Sequence, residues 1–199
     1  MNNIFDAFPD SYIESSRRTI QTPSPIARSA FFYVQETGYL KLRESHRASR
    51  KNLESYLVVL VLSGSGTLMY AGKTYLLEKG SCFFIDCMTP YYHQSNEDDP
   101  WELIWVHFQG ATTPEYYRFF SDFSSPCFFP SAFGELHEKF ISLLDVNKES
   151  NLSAEISSSR LIMDILSIIM QEITKPKITK SPHKINLEQV RNYLDEHYT

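Results

Sequence analysis

The stretch from Tyr56 to Leu62 constrains this chain more than any other. Its apolar residues run unbroken as Tyr-Leu-Val-Val-Leu-Val-Leu, closed by Ser63-Gly64-Ser65-Gly66. The run has strand length, is rich in β-branched residues and has no polar side, so both faces of the strand must be covered. One sheet with a wet face cannot supply that cover. Other strands follow at short intervals. Thr67 to Tyr70 and Thr74 to Leu77 are joined across Ala71-Gly72-Lys73, Gly80 opens a turn before Cys82 to Ile85, and Trp101 to Phe108 follows the acidic loop Asn96-Glu97-Asp98-Asp99-Pro100. Upstream, Ala30 to Val34 and Tyr39 to Leu42 read as a hairpin turning at Gly38, and Glu44 to Lys51 as a polar, basic connection. Seven or eight short strands with such turns predict an antiparallel sandwich or barrel.

The pattern changes after Gly110. Phe119 to Pro130, an aromatic mixture with Ser and Pro, reads as a loop. Leu136, Phe140, Ile141 and Leu144 then recur at helical spacing. After the polar link Glu149 to Ser153, a second helix is expected over about Ala154 to Thr174. Its apolar stripe of Ile162, Ile165, Leu166, Ile169 and Ile173 is widened by Leu161, Ile168 and Met170. A stripe of that width calls for two contact surfaces, and a partner subunit is one candidate for the second. Residues 175–184 read as a linker. A third helix opens at Ile185 with Asn186 as N-cap and Gln189 as its reciprocal group, which predicts that the sequence stops near a domain boundary.

Composition narrows the functional classes. With 19 basic against 24 acidic residues the net charge is -5, which gives no excess with which to grip phosphate backbones. Cys82, Cys87 and Cys127 follow neither a disulfide nor a zinc pattern, and a reducing, cytoplasmic compartment is expected. The first residues lack the marks of a signal peptide, and nothing resembles a membrane span. A metal-dependent cupin enzyme, such as a sugar isomerase or dioxygenase, is the rival reading. However, no His lies between Tyr56 and Gly80, where the first ligand group would sit, so His93 and His107 stand alone. No catalytic residues, metal or cofactor are expected. In the strand from Trp101 to Phe108, alternation puts Trp101, Leu103, Trp105 and His107 on one face and Ile104, Val106 and Phe108 on the other. An indole beside an imidazole suits a ligand with an apolar ring face and hydroxyls, such as a sugar, and core filler is the equal alternative for Trp105.

The ordered set Tyr56-Leu57 through Gly64-x-Gly66-Thr67-Leu68, Gly72-Lys73-Thr74-Tyr75-Leu76-Leu77 with Gly80, Phe83-Phe84-Ile85, Pro90-Tyr91-Tyr92-His93 and Trp101-Glu102-x-x-Trp105-Val106-His107-Phe108-x-Gly110 resembles the amino-terminal cupin domain of AraC/XylS-type transcriptional regulators. The resemblance implies a mainly β fold with α: an antiparallel cupin or jelly-roll barrel followed by an α-helical hairpin. It divides the chain into an arm (1–25), an effector-binding barrel (26–130), a dimerisation hairpin (131–174), a linker (175–184) and the first helix of a DNA-binding domain (185–199). It implies a small-molecule effector, often a carbohydrate, and a homodimer. Promoter DNA would be bound only through helix-turn-helix motifs beyond Thr199, and no membrane is involved. By position, Trp105 falls at the family's ring-stacking aromatic and Arg50 near its pocket arginine, with Arg47 as fallback. His107, His93 and Tyr91 complete the expected ligand set, and Leu161, Ile165, Ile168 and Ile169 the expected dimer contacts. Thr22, Pro23 and Ser24 lie in an arm that closes over effector in some members. Tyr91 stands where relatives often have His, and Ser81 where they have an acid, which argues further against metal.

Overall fold

A computed structural model describes residues 16–41 and 46–175, so the amino-terminal 15 residues and the expected linker and third helix lie outside the described part. The chain runs through β1 (Arg17–Ile20), α1 (Pro25–Ala30), β2 (Tyr33–Lys41), β3 (Arg47–Arg50), β4 (Tyr56–Ser63), β5 (Ser65–Tyr70), β6 (Lys73–Glu78), β7 (Cys82–Asp86), β8 (Tyr91–Ser95), β9 (Glu102–Gln109), α2 (Thr113–Phe123), β10 (Cys127–Phe128), α3 (Phe133–Val146) and α4 (Leu152–Thr174). The strands form two sheets, ordered β1-β2-β9-β4-β7-β10 and β3-β8-β5-β6. Neighbours within each pair antiparallel. The two sheets face one another in a cupin-like sandwich and are not hydrogen-bonded into a closed barrel.

The double burial expected of Tyr56 to Leu62 has two sources. Val58 and Leu60 join Ile104, Val106, Phe108 and Phe84 under α2, α3 and α4. Leu57, Val59 and Val61 face Leu68, Leu77, Tyr91 and Leu103 between the sheets. The long sheet is therefore the middle of three layers, and β4 lies inside it.

Several elements depart from the expected ones. No hairpin forms at Gly38; Tyr33–Lys41 is one continuous strand, and Ala30 ends a helix. Gly38 has a packing reason instead: a Cβ there would lie 2.3 Å from Cζ2 of Trp105, whose indole crosses the strand at that point. Gly66 does the same for the other indole, with Trp101 Cζ3 2.3 Å from an added Cβ. The polar stretch Glu44 to Lys51 contributes the edge strand β3, paired with β8 from Arg47↔Gln94 to Arg50↔Tyr91. Half of the expected loop from Phe119 to Pro130 is the end of α2. That helix starts with Pro114 in its first turn and buries Phe120, while Phe119 and Phe123 face solvent. Aromatics on both sides of it hide its period.

The two expected helices are present. In α4 the Asn151 side chain caps the Ala154 amide at 3.0 Å. At its other end Lys175 takes ψ 135, the extended conformation favoured before Pro176. The wide stripe of α4 is consumed within the chain. Leu161, Ile165, Ile168 and Ile169 all lie in the core formed with α3 and the long sheet. No second copy is needed to cover them.

Candidate functional site

Between the sheets lies a cavity of about 200 Å³. Its apolar floor is Leu40, Leu57, Val59 and Leu103, and its polar wall includes Arg18, Glu36, His46, Arg50, Tyr91, His93, Trp105 and His107. All five residues expected to meet a ligand, Arg50, Tyr91, His93, Trp105 and His107, thus line one space.

A β-bulge builds one wall. Val34 pairs with Phe108 and faces the helices, whereas two residues later Glu36 pairs with His107, only one residue along β9. The extra residue, Gln35, inverts the alternation, so Glu36, Gly38 and Leu40 turn toward the cavity. Without the bulge Glu36 would be driven into the helix core. Turned to the cavity, Glu36 accepts a 2.6 Å hydrogen bond from Arg18 of β1 and a 3.2 Å bond from Trp105 Nε1. Burial raises the Glu36 pKa, but the Arg18 hydrogen bond, His107 and Trp105 together outweigh it and hold the carboxyl below its ordinary value. The indole is pinned at its nitrogen by Glu36 and allowed across the strand by Gly38.

The imidazoles are held neutral. Burial takes His93 down to about 3, aided by His46, His107 and Arg50. His107 is lowered to about 4, mainly by burial, with Glu36 opposing and Arg50 and Arg18 adding to the fall. His46 is lowered to about 4 by burial and Arg50. His107 Nδ1 is 3.1 Å from Ser55 Oγ and 3.9 Å from Cys87 Sγ, which fixes the ring against the back of the cavity. His93 packs among Phe83, Tyr91, Trp101 and His46 with ring centroids 5.5 to 6.1 Å away. Its Nδ1 is buried without a hydrogen-bond partner among the described residues. Such an atom is costly unless something pairs with it. Among the described residues no group of three or more His, Cys, Asp or Glu is disposed to hold a metal ion.

Strand register separates the two candidate arginines. Arg50 pairs with Tyr91 and shares its inward face with Ala48 and His93, while Arg47 pairs with Gln94 on the alternate face and reaches only the rim. Thr22, Pro23 and Ser24, expected as a lid, line a different crevice against α4. There the Ser24 amide and hydroxyl donate to Glu155 at 2.6 and 2.5 Å, and Gln21 donates to the Asn147 carbonyl at 2.9 Å. Arg18, Glu36 and His46 escaped the sequence reading. Arg18 lay in the presumed arm, Glu36 in a presumed turn and His46 in a presumed connection. An acid three residues ahead of a β-strand aromatic was the one available signal, and only the bulge gives it meaning.

The AraC-like ligand-binding domain family matches residues 34–174. The raffinose operon transcriptional regulatory protein RafR of Pediococcus pentosaceus is 26% identical over 155 residues, 73% of this chain. The chain spans 54% of that relative's length. Among solved structures, the AraC-like transcriptional activator CuxR superposes with a TM-score of 0.51 at 11% identity, over 81% of this chain and 59% of that one, a likeness of fold. The cupin domain of Schizosaccharomyces pombe Cnp3 is a looser match, with a TM-score of 0.38 at 12% identity over 55% of this chain and 75% of that one. With the matched span enclosing the bulge, the indole and the helical pair, this chain belongs to the AraC-like ligand-binding domain family of transcriptional regulators.

Proposed function

We propose that the chain is the effector-sensing region of an AraC-type regulator, acting in the cytoplasm without catalysis, and that its effector is a small hydroxylated molecule of the carbohydrate type. One observation carries the reading: an indole and an oriented carboxylate–guanidinium pair converge over an apolar floor. That combination offers a stacking face and fixed donors and acceptors, as a sugar ring requires. A space of about 200 Å³ is smaller than the ~300–1,000 Å³ of drug-sized ligand sites and suits a monosaccharide. The relative that regulates a raffinose operon favours the same chemistry.

The route from site to helices is short. Arg18 enters the cavity from β1, and Gln21 and Ser24 of the same segment hold Asn147 and Glu155 at the junction of α3 and α4. A ligand that draws Arg18 from Glu36 would alter the hold on that junction and shift the population of helix arrangements. In the full-length protein these helices would lead to the DNA-binding domain. A homodimer would use the exposed Ile156 and Met163 of α4 with Phe119 and Phe123 of α2, since the inner stripe is already buried. A thermal-shift screen of monosaccharides and oligosaccharides tests the reading. A true effector at 100 times its Kd adds about 2.7 kcal/mol, and Trp105→Ala should abolish the shift. A shift that survives in Trp105→Ala would overturn this site.

A further inference from the structure

Among the described residues the charge around the cavity does not balance. Arg18, Arg47 and Arg50 line it against a single carboxylate, Glu36, and that carboxylate is taken by Arg18. Arg47 and Arg50 make no ion pair among the described residues, in a protein with more acids than bases. An arginine on an exposed strand edge is ordinarily just solvated. Arg50 is placed differently. It lies on the cavity side of β3, an outermost strand of the short sheet, next to Tyr91. Its field reaches the buried imidazoles: it is among the causes that lower His46, His93 and His107. A neutral polyol would offer this guanidinium hydroxyls but no counter-charge at a strand edge that borders the cavity. A guanidinium is always charged and presents a planar fork that matches a carboxylate or a phosphate.

From this we infer that the effector is an anionic sugar, its ring seated against Trp105 and its carboxylate or phosphate group held at the mouth by Arg50, with Arg47 adding charge. The inference rests on the carbohydrate reading above and narrows it to hexuronates and hexose phosphates. The space inside is sized for one ring, and an exocyclic acid group then emerges toward β3.

Isothermal titration calorimetry with galactose, galacturonate and galactose 6-phosphate, each also in its gluco form, tests this on the wild type, Arg50→Gln and Arg50→Lys. The expected result is an acidic form binding up to about fivefold more tightly than its neutral parent, the worth of an ion pair at an exposed arginine. That preference should disappear in Arg50→Gln and be only partly kept by Arg50→Lys, with unliganded melting temperatures unchanged because Arg50 is exposed. Whether the carboxylate or the phosphate series wins identifies the acid group. Equal affinity for acidic and neutral forms in the wild type overturns the anionic inference and leaves the carbohydrate reading standing. A preference that persists in Arg50→Gln removes Arg50 from the role. Failure of all these sugars to bind at millimolar concentration overturns both.

Discussion

Gly38→Ala should be a strongly damaging change at the site. The added methyl would sit 2.3 Å from Trp105 Cζ2, 2.4 Å from Cη2 and 2.8 Å from the Arg17 carbonyl oxygen. Ordinary contacts begin near 3.4 Å, so the indole must withdraw by about 1 Å or β2 must part from β1. Either movement breaks the 3.2 Å bond from Trp105 Nε1 to Glu36, which has no slack. Overpacking of this kind costs ~1–3 kcal/mol and the charge-assisted hydrogen bond ~1.5–3, so a loss of about 3 kcal/mol is expected. For a domain of this size that is a fall of roughly 6–12 °C in melting temperature. The informative assay is a double-mutant cycle. Trp105→Ala alone destabilises, but in the Gly38→Ala background it also removes the obstacle, so the pair should be less damaging than the sum by about 2 kcal/mol. Additive effects would refute the claim that Gly38 exists for the indole. Tryptophan emission should also change in Gly38→Ala, because the ring leaves its place over the strand.

Other perturbations follow the same geometry. His93 and His107 have folded pKa values of about 3 and about 4, below the ordinary 6.5, so the unfolded chain binds more protons as pH falls below 6.5. Stability should therefore hold above pH 6.5 and decline by pH 5 by roughly 2 kcal/mol for each of His46, His93 and His107, and His107→Gln should remove about a third of that slope in urea titrations. A flat profile between pH 8 and 5 would contradict their burial as neutral rings. Ile165→Asp places a charge in the core under the long sheet and should unfold the protein in circular dichroism rather than release folded monomers in sedimentation. Glu36→Gln should break the ion pair with Arg18 and weaken effector binding at least tenfold while the fold persists, read by calorimetry. Deleting Gln35 leaves Val34 opposite Phe108 and Glu36 opposite His107 as ordinary neighbours on alternate faces, so the cavity and its ligand binding should survive the deletion in calorimetry.

The β-rich layering was legible in the chain because β4 is apolar on both faces, and no arrangement short of three layers buries such a strand. The alternation of β9 was equally plain, and it correctly divided Ile104, Val106 and Phe108 from Leu103, Trp105 and His107. The site was only half visible. Glu36 lies on a strand whose alternation is broken by one residue, and a period-2 reading cannot place a side chain across a bulge. Gly38 was taken for a turn because a strand glycine and a turn glycine look alike until the ring above it is seen. The width of the α4 stripe was read correctly, but its second contact proved to lie within the same chain. Which surfaces meet depends on α2, whose period was masked by Phe119 and Phe123 on its outer side.

Crystallography of the protein with the carbohydrate that most raises its melting temperature tests the central claim most directly. The ring is expected between the sheets, stacked on Trp105 and within hydrogen-bond distance of Glu36 or His93. Density instead in the crevice between Ser24 and Glu155, or an unaltered inter-sheet space with the ligand on the surface, would contradict the account.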